Sequence, residues 1–505
     1  MTGLRLLTRD LRERILAEAF LLLERPGVLV GDTEAIDLLE RSGARVDRGR
    51  RLAFIPEDSV RRALETVPRE FFLCDRDGTP RVRYGGDAVH FDPGSSAVRV
   101  LDARSGESRP GTSDDLARLV KIAETLPQFD AQSTALVCSD VPKEMGDLYR
   151  LYVVLMHSRK PIVTGAFTTT TLPVMLEMVA ADSAAIGAAT DGGSIDPGLP
   201  HGSAGGNGPE APRARAVFDV CPSPPLNWSD FAARSLILLA RSMTPAEMVS
   251  MPLAGATAPA TLAGSLVQHA AESLSGIVIH QAARPGAPIV WGGAPAIFDM
   301  RFGTTPMGAM ETAMIDAAYA EVGKSLGLPT HAYMGASDAK ILDAQAGMES
   351  GMTALVGALA GINMISGAGM LDFLACQSPE KLVLDAEGIA MARRLLAGVE
   401  ARETPLATHL FAALGHRAGF LELKHTREFF RLEQAMPSAV IDRGSVRAWE
   451  DAGRPDTVAR ARDRVADLIA KYRRPEIGAD ADREVRRIIE AAARRAGLGA
   501  LPAVA

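Results

Sequence analysis

Cysteine is scarce in this chain. Cys74, Cys138, Cys221 and Cys376 are scattered over 505 residues with no C-x-x-C pair. That excludes a disulfide framework and a zinc-finger spacing, and fits a reducing, cytoplasmic compartment. Aromatic residues make up only 5%, with three tryptophans, so any aromatic-lined pocket draws on few rings. An excess of basic charge is also missing. The 55 Lys and Arg stand against 62 Asp and Glu, a net charge of −7, which argues against a nucleic-acid binder. The N-terminus turns charged before an apolar segment forms, so no signal peptide is expected. The one long uncharged run, Gly351 to Leu371, carries Gly357, Gly361, Gly367 and Gly369 plus Asn363 and reads as a buried helix followed by a buried strand, not a membrane span. There is no internal repeat and no low-complexity tract. A G-x-S-x-G elbow is absent, which excludes that serine-hydrolase chemistry. No dinucleotide-binding glycine fingerprint stands in its required strand–helix context.

What the chain does contain is alternation. Leu11, Ile15, Leu16, Ala19, Phe20 and Leu23 recur at helical spacing over 8–25, and Phe71–Cys74 reads as a strand. From residue 88, eight β-rich apolar runs follow: Ala88–Phe91, Ala131–Cys138, Pro161–Gly165, Ala214–Cys221, Met248–Pro252, Pro288–Trp291, Thr330–Met334 and Asn363–Ser366. Most precede an apolar run of helical period, such as Asp114–Leu126, Asp230–Ala240 or Met310–Leu326. Eight alternating units predict an α/β fold, a (β/α)8 TIM barrel, over an open doubly wound sheet. The expected division is an N-terminal helical and mixed extension over 1–87, the barrel over 88–386, and a helical C-terminal region over 387–505 packed on it. Opposite charges alternate from Arg454 onward, a solvated helical face or an oligomer contact.

In such barrels the reacting groups gather at the carboxyl ends of the strands. The loop after strand seven is densest in functional groups: Asp338, Lys340, Asp343 and Gln345, with Glu349 on the next helix. This set either binds substrate and tunes its charge or merely caps the helix, with Asp343 as N-cap and Lys340 in a surface ion pair. Trp291 and Tyr333, at the ends of strands six and seven, suit a cation, since an aromatic face attracts quaternary ammonium groups; as core fillers they would read the same. The glycine-rich segment His201–Gly208 is either a cradle for an anion or planar cofactor or a flexible linker. Cys138 and Cys221 fall at strand ends but have no histidine beside them, so no protein-bound metal is expected.

The ordered series Ala254–Gly264, Ala271-Glu272, Pro285–Pro288, Phe298-Asp-Met300, Ser337-Asp-Ala-Lys340, Asp343–Gly347, Glu349 and Lys381–Asp385 resembles the trimethylamine methyltransferase family. The resemblance is most distinctive from Gly264 to Asp385 and extends over most of the chain. It implies a TIM-barrel methyltransferase that moves a methyl group from an amine nitrogen to the cobalt of a corrinoid carried by a separate protein. Founding members contain pyrrolysine. This chain departs from them, with standard residues throughout, Thr330–Asp338 included. Members without pyrrolysine are associated with betaine-type substrates, so the resemblance points to a quaternary amine such as glycine betaine. The alternatives are trimethylamine or another methyl donor, or a non-catalytic binding protein for betaine-like solutes.

On this reading Trp291 and Tyr333 face the cation, while Lys340 or His201 takes a substrate carboxylate. Glu311, Asp338, Gln345 and Glu349 organise the pocket, with Asp338 and Glu349 placed closest to the chemistry. Ser366 and Asn207 are the candidates for contact with the corrinoid. The partners expected are the amine, the corrinoid protein and further copies of the chain in a homo-oligomer, with no nucleic acid and no membrane.

Overall fold

The computed structural model describes residues 3–102, 105–183, 211–417, 419–498 and 501–502. Eight short parallel strands form its centre: β1 (His90–Pro93), β2 (Gln132–Ser133), β3 (Ile162–Thr164), β4 (Ala216–Val220), β5 (Ala246–Ser250), β6 (Ile289–Gly293), β7 (His331–Ala332) and β8 (Met364–Ala368). β2 to β6 pair in chain order, and β7–β8–β1 form a second arc. A parallel bridge from Trp291 to Thr330 joins β6 to β7. At the other seam the Asp130 amide donates to the Phe91 carbonyl at 2.9 Å, so the arcs close into the TIM barrel that the alternation predicts. Each of the eight runs supplies one strand.

Helices form the outer ring. An N-terminal layer of α1 (Arg9–Glu24), α2 (Thr33–Arg41) and α3 (Glu57–Thr66) comes first. The ring proper is α4 (Ser113–Thr125), α5 (Gly146–His157), α6 (Leu172–Asp182), α7 (Asp230–Arg241), α8 (Leu262–Ala283), α9 (Met310–Ser325), α10 (Ala344–Leu359) and α11 (Pro379–Leu396). α1, α2 and α3 lie on α8, α1 through the buried stripe Ile15, Ala19, Phe20 and Leu23. α5 is the helix that the periodicity did not reveal. All twelve of its residues are buried, so it has no polar face to set a period. The uncharged run resolves as the end of α10 followed by β8, and among the described residues no helix is long and apolar enough to cross a membrane.

After α11 come α12 (Thr408–Leu414), α13 (Lys424–Glu433), α14 (Val446–Asp451), α15 (Thr457–Lys471) and α16 (Ala479–Arg495). α15 lies against α4 and α11, and α16 against α5 and α6. Their charged outer faces are solvated, while Val465, Leu468, Val485, Ile488 and Ile489 are buried.

The floor of the barrel is apolar. An antiparallel hairpin, Phe71–Cys74 with Pro80–Tyr84, plugs the amino ends of the strands. Its stacked Phe71 and Tyr84 rings, 4.7 Å apart, pack with Leu73 and Val82 against inward Ala131, Val163, Val217, Val290 and Met364. Because strand side chains alternate, that layer fixes the next inward one: Val217 places Asp219 inside, and Met364 places Ser366 inside.

A buried ion pair ties the last unit down. Lys381 on α11, wholly buried, donates to Asp385 at 2.5 Å and to Ser350 of α10 at 2.6 Å, while Asp385 accepts from the Gly369 amide after β8 at 2.7 Å. Removing one partner leaves a buried charge alone, so Lys381→Met should destabilise the fold by about 3–5 kcal/mol in urea denaturation. The double change Lys381→Met with Asp385→Leu should recover most of that loss; a single variant as stable as the parent would contradict this role.

Candidate active site

Above the apolar floor the barrel interior turns acidic. Asp92 of β1, Asp219 of β4 and Glu247 of β5 point inward with His331 of β7 and Ser366 of β8, all but Asp219 fully buried. Tyr84 rises from the floor and donates to Glu247 Oε2 at 2.8 Å. Ser366 donates to Asp92 at 2.5 Å and therefore accepts from His331 Nε2 at 3.0 Å. This polarity leaves His331 Nδ1 as an acceptor facing Glu247 Oε1, 3.2 Å away but misaligned for a hydrogen bond. Burial holds the imidazole down at about 3, so the contact joins a neutral ring to a carboxyl group and is not an ion pair.

Towards the mouth, Tyr333 donates to Asp219 Oδ2 at 2.8 Å and accepts from Ser95 at 3.0 Å. Burial pushes Asp92 and Glu247 well above the usual carboxylate range, and the charge of Asp219 raises Glu247 further. Asp219 rises only to about 6, because hydrogen bonds from Tyr333 and Glu247 offset its burial. At neutral pH the cluster therefore carries its charge on Asp219, which is held by hydrogen bonds from Tyr333 and from the protonated Glu247. An ionised carboxylate at the mouth end of the cluster is the group a cation would approach.

Arg150 of α5 lies beside this cluster. Its fork donates to Ser96 Oγ and the Thr134 carbonyl, each at 2.9 Å, and its guanidinium stacks 4.3 Å from the Phe167 ring. Burial lowers it to about 10, and its Nε–H is unpartnered. Glu272 braces the mouth from α8, accepting from the Leu226 amide at 2.9 Å and from Ser250 at 2.6 Å.

The residues singled out from sequence divide into four groups. Tyr333 and Ser366 belong to the interior cluster. Glu311, Asp338, Lys340, Gln345 and Glu349 line a separate cavity of ≈720 Å³ beside the mouth. There Asp338 accepts from the Met307 and Gly308 amides at 2.8 and 3.0 Å. Glu349 accepts from Ser337, the Asp338 amide and Gln345 at 2.6, 2.8 and 2.9 Å. Lys340 donates to the Asp338 carbonyl at 2.6 Å and lies 3.7 Å from the Phe373 ring centre. Asp343 is the N-cap of α10. Asp338 reaches the interior only indirectly: it holds Met307, which packs in one apolar cluster with Tyr333.

Trp291 requires a correction. The preceding Val290 faces the barrel interior, so Trp291 faces out. It is 1% exposed between β6 and α9 and donates to the Tyr319 carbonyl at 3.0 Å. A Cβ on Gly323 would lie 2.5 Å from its ring. Trp291 is core and cannot face a substrate in the barrel. His201 and Asn207 lie outside the described residues. A second large cavity, ≈830 Å³, opens at the amino ends of the strands around Arg12, Glu321 and Arg393, away from the acidic cluster. Among the described residues no group of three or more His, Cys, Asp or Glu is arranged to hold a metal ion.

Sequence reasoning missed Asp92, Asp219, Glu247, His331 and Arg150. The available signal was an acid inside an apolar strand, as in Ala-Val-Phe-Asp-Val and Ala-Glu-Met-Val-Ser, an expensive placement without a function.

The family model described as Trimethylamine methyltransferase (MTTB) matches residues 1–197 and 198–499. Trimethylamine methyltransferase MttB2 of Methanosarcina mazei is 32% identical over 497 residues, covering 97% of this chain and 96% of the relative. The glycine betaine methyltransferase of Desulfitobacterium hafniense is 28% identical over 488 residues, covering 96% of each. Among solved structures, the monomethylamine methyltransferase MtmB of Methanosarcina barkeri shares the fold, with a TM-score of 0.52 and 13% identity over 92% of this chain and 89% of that one.

Because Asp219 titrates near 6 when folded and near 4 when unfolded, it lowers stability progressively as pH rises from about 4 to 6. Asp219→Asn should therefore raise the thermal midpoint at pH 8, by the equivalent of about 1–3 kcal/mol, and leave it unchanged at about pH 4. An Asn variant less stable at pH 8 would contradict the burial penalty.

Proposed function

The chain belongs to the trimethylamine methyltransferase family and is a methyltransferase, and on that footing we propose that it moves a methyl group from a quaternary amine such as glycine betaine to the cobalt of a corrinoid carried by a separate protein. The observation that carries the substrate class is the ionised Asp219 at the barrel mouth, hydrogen-bonded by Glu247 and aligned by Tyr333. A permanently charged ammonium group complements that carboxylate at every pH at which Asp219 is ionised. The unpartnered Nε–H of Arg150 offers a donor for the carboxylate at the other end of a betaine. Residues 330–338 are all standard amino acids. A quaternary nitrogen needs no further activation, because it already leaves as a neutral tertiary amine.

The acceptor supplies cobalt(I) as nucleophile; the C–N electron pair stays with nitrogen and the methyl carbon bonds to cobalt. No proton is exchanged in that balance, so this chain's acids act by charge and alignment and not as general bases. Charge leaves the nitrogen as the bond breaks, so Asp219 stabilises the bound substrate more than the transition state. Its contribution falls on capture and orientation. Phe302 and Ile341, exposed at the lining of the ≈720 Å³ cavity, give the acceptor protein an apolar rim to dock on.

The test mixes the protein with reduced cobalamin, then with the native corrinoid protein, and follows methylcobalamin formation over betaines, carnitine and trimethylamine. A quaternary amine should be demethylated while trimethylamine is not. Asp219→Asn should raise KM by about tenfold or more and change kcat by less than about threefold. In the parent, kcat/KM should fall as pH drops through about 6, where Asp219 takes up its proton, and in the variant that limb should vanish. Turnover of trimethylamine alone would overturn the substrate class, and tight betaine binding without transfer to either acceptor would leave a binding protein in its place.

A further inference from the structure

The loop after β8 is strained. Asp372, Phe373 and Leu374 follow one another at φ of +50°, +55° and +69°, the only consecutive non-glycine residues in the left-handed region among those described. L side chains rarely enter that region, bulky ones least of all, and then singly. Such strain persists only where surrounding contacts over-determine it, and it gathers at ligand clamps and switches.

Two backbone hydrogen bonds frame the turn. The Asp372 amide donates to the Ala339 carbonyl and the Ala375 amide to the Asp372 carbonyl, each at 3.0 Å. One cation holds the side chains. Lys340 Nζ donates to the Asp338 carbonyl at 2.6 Å, pairs with Asp372 Oδ1 at 3.4 Å and lies 3.7 Å from the centre of the Phe373 ring. It is thus tied to its own loop by one bond and to the first two residues of the turn by the other two contacts. The Lys340 side chain is 59% exposed, so these contacts bias the conformation of the loop and contribute little to the fold.

The far side of the turn reaches the site. Leu374 packs against the apolar cluster that contains Tyr333 and Met307. The Ala375 carbonyl accepts from the Val98 and Arg99 amides at 3.1 Å each, which anchors the loop after β1. That loop carries Ser95, bonded to Tyr333, and Ser96, bonded to Arg150. The turn therefore braces Tyr333 from two directions, and Tyr333 aligns Asp219. We infer that Lys340 is a positioning residue for amine capture: it latches residues 372–374 in the left-handed turn that holds Tyr333 and the loop after β1 in place around Asp219. This role rests on the reading of Asp219 as the carboxylate that receives the ammonium group. It replaces the contact with a substrate carboxylate expected from the sequence, because Lys340 commits its donors to its own loop and to the turn, in a cavity apart from Asp219.

Calorimetry and hydrogen exchange on the full chain carrying Lys340→Met test the inference. Glycine betaine and tetramethylammonium, which has no carboxylate, should both bind about fivefold or more weakly than to the parent. In turnover KM should rise by the same factor, with kcat changed by less than about threefold and the thermal midpoint by less than about 3 °C. The amides of residues 372–375 should exchange about tenfold faster or more. Lys340→Arg, which keeps the cation, should restore binding and exchange. Phe373→Leu should weaken binding in the parent and add nothing in Lys340→Met, because the ring then has no cation to hold. A loss confined to glycine betaine would overturn the inference, since Lys340 would then bind the substrate carboxylate itself. So would parental exchange of the turn in Lys340→Met, or faster exchange with binding unchanged. Failure of the parent to bind either amine would instead overturn the functional reading, and the role in capture with it, while the exchange would still decide whether Lys340 holds the turn.

Discussion

Three carboxyl groups share the interior of one barrel, and the rest of the site is arranged around the cost of keeping them there. A buried, unpaired carboxylate costs several kcal/mol, and three within one ring of strands cannot all ionise. Burial leaves Asp92 and Glu247 protonated and concentrates the charge on Asp219. Tyr84 donates to Glu247 and Ser366 to Asp92, neutral His331 holds Ser366 in place, and Tyr333 with Ser95 aligns the ionised acid at the mouth. The result is a single, directed negative charge at the mouth end of the interior, the feature on which the proposed recognition of a quaternary ammonium group rests.

The scaffold makes that arrangement possible by separating the two tasks of the barrel interior. The hairpin of Phe71 and Tyr84 closes the floor with an apolar layer, so the acidic layer above need not supply the packing. Strand alternation then carries the inward register upward, from Val217 to Asp219 and from Met364 to Ser366. The loop after β7 works at one remove: Asp338 and Glu349 clamp the backbone that carries Met307 against Tyr333. They are positioning residues for the mouth, in a cavity of their own.

The sequence made the barrel legible because eight apolar strand runs alternating with helices have few other solutions. It concealed α5, buried on every side, for the same reason that periodicity works elsewhere. The site was harder to read. Strand ends do locate function, and Tyr333 was found that way, but a strand end says nothing about which face a side chain takes. Trp291 shows the consequence, since one residue of register separates the barrel interior from the helical ring. Asp219, Glu247 and Asp92 sit within strands, where hydrophobic runs hide single acids, and Arg150 comes from the helix that had no visible period. The polar crowd at Ser337–Glu349 was conspicuous because it clusters in one loop and caps a helix, with Lys340, Asp343 and Gln345 exposed, not because it is closest to the interior charge.

The central claim is that Asp219 recognises positive charge and not merely shape. Titration calorimetry at pH 7.5 can isolate it by comparing glycine betaine with its carbon isostere, tert-butylacetate, which has the same size and carboxylate but no ammonium charge. The account predicts that the betaine binds on the order of 10–30-fold more tightly, and that Asp219→Asn abolishes the difference. Equal affinity of the two ligands for the parent protein would contradict it.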